Sequence, residues 1–405
     1  MVTLSFPKEQ LEGIIPLPSS KSESNRALII QHLAQEKIRL DNLAEARDTQ
    51  TMIRLLESEG HVLDVIDAGT TMRFLTGFFS ALGRDQILTG TPRMCQRPIG
   101  VLVDALRSLG ATIDYRNQEG YPPLHILRNY EGMKGGELDM PGNISSQFIS
   151  SVLMIAPTLS GGVRINLTGD ISSKPYIDMT RALMAHFGAS TQWEGNSLIV
   201  EEEPYKGGEY TIESDWSAAS YWYSMMALSE TGNLRISGLR ENSFQGDQAI
   251  AELSTHFGVK TTFEEDGIYL EKEGDITAEQ LNIDFKEFPD LAQTIAVMAA
   301  GTGKPVHMTG LHTLRIKETD RITALETELG KMGVEVSSTE DTFTVSGHIQ
   351  QAADIDTYED HRMAMAFAPL VMKFPSISIH DPEVVNKSYP SFWKHMELVG
   401  VKITE

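Results

Sequence analysis

Cysteine is almost missing from this chain of 405 residues, where Cys95 stands alone. One thiol excludes an intramolecular disulfide framework and a cysteine-rich metal site, and it suits a reducing compartment. Long apolar runs are missing as well. No stretch approaches the roughly 18 apolar residues of a membrane span, and the first ten residues, MVTLSFPKEQ, lack a basic segment followed by an apolar one. Nothing here reads as a targeting or anchoring signal, so a cytoplasmic protein is expected. Positive charge is scarce: 34 Lys and Arg face 56 Asp and Glu, for a formal net charge of −22. That field opposes nucleic acid and anionic membranes, and neither is expected as a partner. Any site for an anionic small molecule must then be built locally, from clustered Arg and Lys and from backbone N–H groups.

Low-complexity segments are also lacking, and hydrophobic residues make up 41% of the chain against 22% charged, the mix of a folded soluble protein. The length exceeds what one core usually serves, so two domains are expected. A repeat supports this. One pattern, an apolar residue followed by Gly and a short strand-like run, occurs six times: LLESEGHVLDV, LRSLGATIDY, LMAHFGASTQW, LSTHFGVKTTF, LGKMGVEVSS and MELVGVKI. The glycines are Gly60, Gly110, Gly188, Gly258, Gly333 and Gly400, spaced by 50, 78, 70, 75 and 67 residues. Each copy reads as an amphipathic helix ended by a left-handed glycine and followed by a strand. Hairpin-like strands such as VRINLTGD and LRISGL fill the intervals. The fold class expected is α/β, with six repeated units, three per domain. A crossover is expected near Glu213 to Trp216, with the first strand joining the second domain. The domains are then 15–214, and 1–14 together with 215–405.

Polar residues stand before several apolar helical runs. In LPSSKSESNRAL, Ser19, Ser20, Lys21 and Ser22 fall at a helix start and Arg26 follows about one turn later. Free N–H groups and the helix dipole favour an anion there, although an ordinary serine cap with solvated Lys and Arg would read the same. In DAGTTMRFL, Gly69 permits close backbone approach and Thr70 and Thr71 could cap the next helix. TGTPRMCQRPIG places Arg93 and Arg97 four apart between prolines, which suits planar recognition of carboxylate or phosphate as well as a plain surface loop. PGNISSQF offers Ser145, Ser146 and Gln147 as caps, and ISSKPYIDMT offers the hydroxyls of Ser173 and Tyr176.

The second half carries FPDLAQTIA with Asp290, LRIKETDRI with Arg315, Lys317, Glu318, Asp320 and Arg321, EDHRMAMAF with His361 and Arg362, and VVNKSYPSFW with Lys387. A charge alternation such as LRIKETDR is also what a solvated, salt-bridged face looks like. No Walker A loop or dinucleotide fingerprint is present, and no His, Cys or carboxylate spacing matches a metal site. Neither a metal nor a cofactor is expected.

Taken in order along nearly the whole chain, SSKSESNRAL, DAGTTMRFL, PRMCQRPIG, SSQF, SKPYIDMT, FPDLAQTIA, RIKETDR, EDHRMAMAF and NKSYPSF resemble the motifs of the 5-enolpyruvylshikimate-3-phosphate synthase family of enolpyruvyl transferases. The resemblance implies two domains of three α/β units each around an interdomain cleft. It also implies two small-molecule partners, phosphoenolpyruvate and shikimate 3-phosphate, in chorismate and aromatic amino-acid biosynthesis, and a monomer. Matched residue by residue, it gives Lys21, Ser22, Arg26, Ser145, Ser146, Gln147, Ser173, Tyr176, Asp290 and Lys317 to shikimate 3-phosphate. Lys21, Gly69, Arg97, Gln147, Arg321, Arg362 and Lys387 fall to phosphoenolpyruvate. Asp290, Glu318, Lys21 and Lys387 are the implied catalytic residues.

Four places depart from the resemblance. Asp67 stands where many relatives have Asn, Phe74 where many have Pro or Leu, and Thr313 replaces a common Asn. The stretch from Glu57 to Asp67 is shorter than usual. These bear on phosphoenolpyruvate affinity and on the response to glyphosate, which competes at that site. A related transferase acting on UDP-N-acetylglucosamine uses a loop cysteine, and Cys95 beside the arginine loop keeps that alternative in view. A non-catalytic anion-binding or RNA-end-processing protein on similar repeats is a further one, against which the net charge counts.

Overall fold

In a computed structural model of the protein, residues 1–274, 276–277 and 279–405 are described. The chain divides into two compact units, residues 20–212 and residues 1–19 with 213–405. The crossings therefore fall after Ser19 and Ile212, against the expected residues 14 and 214. Pairing explains the first difference: strand Leu11–Pro16 runs parallel to Gly232–Ser237 along its whole length, and Ser19 bridges Ser214.

Among the described residues, five four-stranded sheets share one spatial order. In the first, Val62–Asp64 lies parallel to Gln86–Thr89, which pairs antiparallel with Leu124–Ile126, which in turn pairs with Ile113–Tyr115. A parallel pair thus continues into a hairpin whose second strand lies innermost. The same order recurs in Lys134–Pro141, Ser160–Thr168, Ser197–Val200 and Thr191–Glu194, and again in Leu11–Pro16, Gly232–Ser237, Gly267–Lys272 and Val259–Glu264. It recurs a fourth time in Leu281–Asp284, Val306–Thr309, Phe343–Val345 and Val336–Ser338. In the fifth sheet, Asp354–Ile355, Ile377–Ile379, Val2–Ser5 and Lys402–Thr404, the chain's first strand occupies the place of the hairpin's second strand. That pairing places the N-terminus in the same unit as the C-terminal half.

The sixth sheet is only the parallel pair Ile38–Asp41 and Gly208–Thr211. This changes the reading of the first repeat. Gly110, Gly188, Gly258, Gly333 and Gly400 have φ of 96°, 86°, 72°, 78° and 106°, as helix-ending glycines should, and the first four lead into a hairpin. Gly60 does not belong with them, because its φ is not positive. The helix before it leads to Val62–Asp64, a strand of the next sheet, so no hairpin reversal has to be made there. A second correction concerns LSTHFGVKTTF, whose helix is one α-turn, Ile250–Leu253, continued by a tighter turn through Ser254–Phe257.

Helices fill each unit. Residues 20–212 contain α1 (Lys21–Leu33), α2 (Arg47–Leu56), α3 (Gly69–Ala81), α4 (Gly100–Ser108), α5 (Ser146–Ile155) and α6 (Lys174–His186). The other unit contains α7 (Trp216–Leu228), α8 (Ile250–Leu253), α9 (Ala292–Thr302), α10 (Arg321–Lys331), α11 (His361–Phe367) and α12 (Phe392–Leu398). Outer helices are two-faced: α2 buries Thr51, Met52, Leu55 and Leu56 at helical spacing. Inner helices α3, α5, α7 and α9 are apolar or small nearly all round, which is the composition of a helix enclosed by protein. Gly77 of α3 lets that helix press on α5, since a Cβ there would lie 2.4 Å from Ser151 Oγ. Among the described residues no helix is long and apolar enough to cross a membrane.

The repeat glycines differ in what they tolerate. Gly110→Ala meets no atom closer than 3.9 Å but must hold a left-handed backbone, so it should cost about 1–2 kcal/mol. Gly60→Ala, without that constraint, should stay within about 0.5 kcal/mol, as denaturant unfolding midpoints of the two variants will read out.

Candidate active site

The expected site residues fall into two groups, one in each unit. In residues 20–212 they cluster at helix starts. Ser20 caps α1 by accepting from Glu23 N, and Lys21 is its first residue. Ser145 caps α5 by accepting from Gln147 N. Ser173, at φ 55°, precedes α6, whose first turn carries Tyr176. Thr70 and Thr71 are not caps as expected: α3 starts at Gly69, and both hydroxyls are used between helices. Thr71 Oγ1 donates to Asp48 O of α2 at 3.3 Å, and Thr70 Oγ1 accepts from Gln147 Nε2 of α5 at 3.1 Å. Lys21 Nζ reaches Asp48 Oδ2 at 3.1 Å.

Arg26 completes the tie. It is almost wholly buried and donates to Thr180 Oγ1 (2.7 Å), Ser22 O (2.8 Å), Ser150 Oγ (3.3 Å) and Tyr176 O (3.4 Å), with its guanidinium over the rings of Phe74 and Tyr176. Burial pushes its pKa down to about 10, against the opposing influence of Tyr176 and Glu23. Expected as a ligand group, Arg26 is turned inward, because its hydrogen bonds hold the first turns of α1 and α6 and the middle of α5 in register. The starts of α1, α2, α3, α5 and α6 are thus linked by side chains, and their free N–H groups make a positive end.

Arg97 lies against this end. A Cβ on Gly69 would stand 2.7 Å from Arg97 Nη1, so glycine lets the guanidinium close on the first residue of α3. Cation and helix start together suit an anion. Arg73, nearby, is spent on structure, donating to Gly69 O (3.2 Å) and Pro98 O (3.3 Å). The unusual Asp67 is matched by Arg47, whose Nη2 contacts both carboxylate oxygens at 3.0 and 2.9 Å.

In the other unit the group is denser. Asp290, just before α9, receives Arg321 Nη1 at 3.1 Å and Arg362 Nη2 at 2.9 Å, with Lys317 Nζ at 3.8 Å. Arg321 also meets Asp360 (2.7 Å) and Glu318 (3.2 Å), and Lys387 lies 3.8 Å from Glu318. Asp360 caps α11 by accepting from Arg362 N, and Asp320 caps α10 by accepting from Thr323 N. Burial alone would raise the Asp290 carboxyl, but Arg362, Lys317 and Arg321 together hold it well below the usual carboxylate range. Burial would likewise depress Arg321, yet Asp360, Glu318 and Asp290 raise it. His361 is buried at the start of α11.

One member went unnoticed in the sequence. Asp247 is buried, accepts from Ser217 Oγ, and is joined through Ser217 to Arg362 Nη2 (3.3 Å). Burial, and then the negative charge of Asp290, push its carboxyl up to about 7. Among the described residues its Oδ1 has no hydrogen-bond partner. Nothing in its sequence setting, 43 residues before Asp290, points to this.

The profile of the family described as EPSP synthase (3-phosphoshikimate 1-carboxyvinyltransferase) matches residues 6–67 and 54–396. The chain belongs to the EPSP synthase family. A 3-phosphoshikimate 1-carboxyvinyltransferase of Bacteroides fragilis (strain YCH46) is 47% identical over 407 residues, covering 99% of this chain and 98% of its own. That of Sulfurovum sp. (strain NBC37-1) is 37% identical, covering 97% and 98%. A solved structure titled as EPSP synthase from Acinetobacter baumannii is similar in fold, with a TM-score of 0.81 at 22% identity over 100% of both chains. EPSP synthase membership makes the chain a transferase and disfavours the sugar-nucleotide alternative. Cys95, on which that alternative leaned, points its Sγ at Gly90 O, 3.6 Å away.

Asp360 is the network's most buried carboxylate, and its loss leaves Arg321 without its shortest partner. Asp360→Asn should destabilise the protein by about 3 kcal/mol, measured by denaturant unfolding.

Proposed function

We propose that the chain transfers the enolpyruvyl group of phosphoenolpyruvate to the 5-hydroxyl of shikimate 3-phosphate, with release of phosphate, as a cytoplasmic monomer in chorismate and aromatic amino-acid biosynthesis. The observation that carries this reading is that four of the five cations assigned to phosphoenolpyruvate already hold carboxylates of the protein. Lys21 rests on Asp48, Arg321 and Arg362 on Asp290, and Lys387 on Glu318. An acidic chain keeps such cations folded by pairing them internally, and a more highly charged ligand can take them over.

The chemistry follows from that exchange. The 5-hydroxyl oxygen bonds to C2 of phosphoenolpyruvate while its proton passes to Asp290, and the C2–C3 double bond takes a proton at C3 from Glu318. The tetrahedral intermediate then returns a C3 proton to Glu318, re-forms the double bond and expels phosphate, which takes up the hydroxyl proton passed on from Asp290, with Lys21 and Lys387 at the departing anion. As free carboxylate among Arg362, Lys317 and Arg321, Asp290 is a poor base. When substrate phosphate and carboxylate groups engage those cations, its proton affinity rises. Binding thus prepares the base. Ser22, Ser145, Ser146, Gln147, Ser173 and Tyr176 orient shikimate 3-phosphate, Arg26 fixes Ser22 and Tyr176 from behind, and Gly69 and Arg97 cradle phosphoenolpyruvate.

Phosphate release should require phosphoenolpyruvate and shikimate 3-phosphate together, and UDP-N-acetylglucosamine should not replace the latter. Release with the sugar nucleotide alone as acceptor would overturn the assignment. Arg97→Ala should raise KM for phosphoenolpyruvate by roughly 10- to 100-fold, the worth of one charged hydrogen-bonding group, with KM for shikimate 3-phosphate little changed. Glu318→Gln should lower kcat by about 100-fold or more in steady-state assays while both KM values hold.

A further inference from the structure

Three side chains far apart in sequence meet on the surface of residues 20–212. His125 Nε2 lies 2.9 Å from Asp85 Oδ1, and His61 Nδ1 lies 3.5 Å from the same oxygen. One donor atom from each of His61, Asp85 and His125 falls within 4.8 Å of the others. Adjacent strands set this geometry. His61 immediately precedes Val62–Asp64, Asp85 immediately precedes Gln86–Thr89, and His125 is the middle residue of Leu124–Ile126, all neighbours in one sheet. Ile87 pairs with His125 in register and donates from its N to His61 O at 2.8 Å. The main chain at His61 is therefore pinned. His61 sits in the short link between the end of α2 at Leu56 and the strand Val62–Asp64 of this sheet.

We propose that His61, Asp85 and His125 form a binding site for a borderline divalent transition metal, of which zinc is the best fit, separate from the transferase site. Two imidazoles and a carboxylate are zinc's preferred ligands outside thiolate sites, and bonds of about 2.0–2.1 Å at tetrahedral angles place donors roughly 3.3 Å apart. The two measured donor separations bracket that value. Side-chain exposures of 53% for His61, 40% for Asp85 and 19% for His125 leave the outer face open to water, which would complete the coordination. The imidazole of His125 now holds Asp85 below the usual carboxylate range, with smaller help from His61 and Arg128. A metal would take over from those contacts, with Arg128 opposing it.

The site's position predicts what it does. His61 and Asp85 lie at the beginnings of two parallel strands, whereas Gly69 and Arg97 follow their ends. A metal there ties three strands together without touching the substrate residues. It should stabilise the fold and leave catalysis alone.

The test is zinc binding to the full chain, stripped by chelator, by calorimetry, with cobalt absorption as a report of tetrahedral N/O ligation. Wild type should bind one equivalent of zinc and melt at a higher temperature with it. His61→Ala and His125→Ala should each weaken binding at least tenfold and abolish the melting shift, while metal-free activity stays within twofold. Asp85→Asn, which keeps the side-chain shape, guards against misfolding as the cause of loss and should weaken binding too. Zinc affinity unchanged in both histidine variants, or no wild-type binding at millimolar zinc, would overturn the proposal and leave an ordinary hydrogen-bonded trio.

Discussion

A buried guanidinium cannot be left unpaired, and each unit is organised around one. Arg321 and Arg26 are both 2% exposed. The cost of burying such a charge, several kcal/mol if unmet, forces partners into fixed places. Around Arg321 those partners are Asp290, Glu318 and Asp360, which lie at the starts of α9, α10 and α11. Around Arg26 they are a serine carbonyl, two hydroxyls and a tyrosine carbonyl from α1, α5 and α6. In both units a single cation gathers several helix N-termini, and with them the free N–H groups that an anion needs.

The two units solve the same problem with different chemistry. Carboxylates surround Arg321, so its neighbourhood is an ion-pair network in which a substrate anion competes with Asp290 for cations. Neutral oxygens surround Arg26, so its neighbourhood is a scaffold. This difference puts the titratable part of the proposed reaction among residues 213–405 and the positioning part among residues 20–212. The net charge of −22 makes the division intelligible: with acid in excess everywhere, a cation cluster persists only where carboxylates already hold it.

Much of this was legible in the sequence, for reasons that can be named. Helix-ending glycines show because only glycine takes a left-handed backbone cheaply, and five of the six carry it. Helix starts show because serines precede apolar runs, which is how Lys21 and Ser145 stand out. Gly60 misled because its local pattern matches the others while its strand joins another sheet, a fact of topology that no local pattern carries. The inward turn of Arg26, the carboxylate of Asp247 and the meeting of His61, Asp85 and His125 are likewise products of tertiary contact. The two histidines are 64 residues apart, far outside any metal-binding spacing readable along a chain.

The claim on which the account rests is that substrates take over the cations that now neutralise Asp290. The direct measurement is the titration of the Asp290 carboxyl by carbon-13 NMR in the free protein and with both substrates bound, using Asp290→Asn to assign the signal. The account predicts a carboxyl ionised throughout the accessible acid range in the free protein and a clear upward shift in its pKa with substrates. A carboxyl that titrates at the same pH in both states would contradict it.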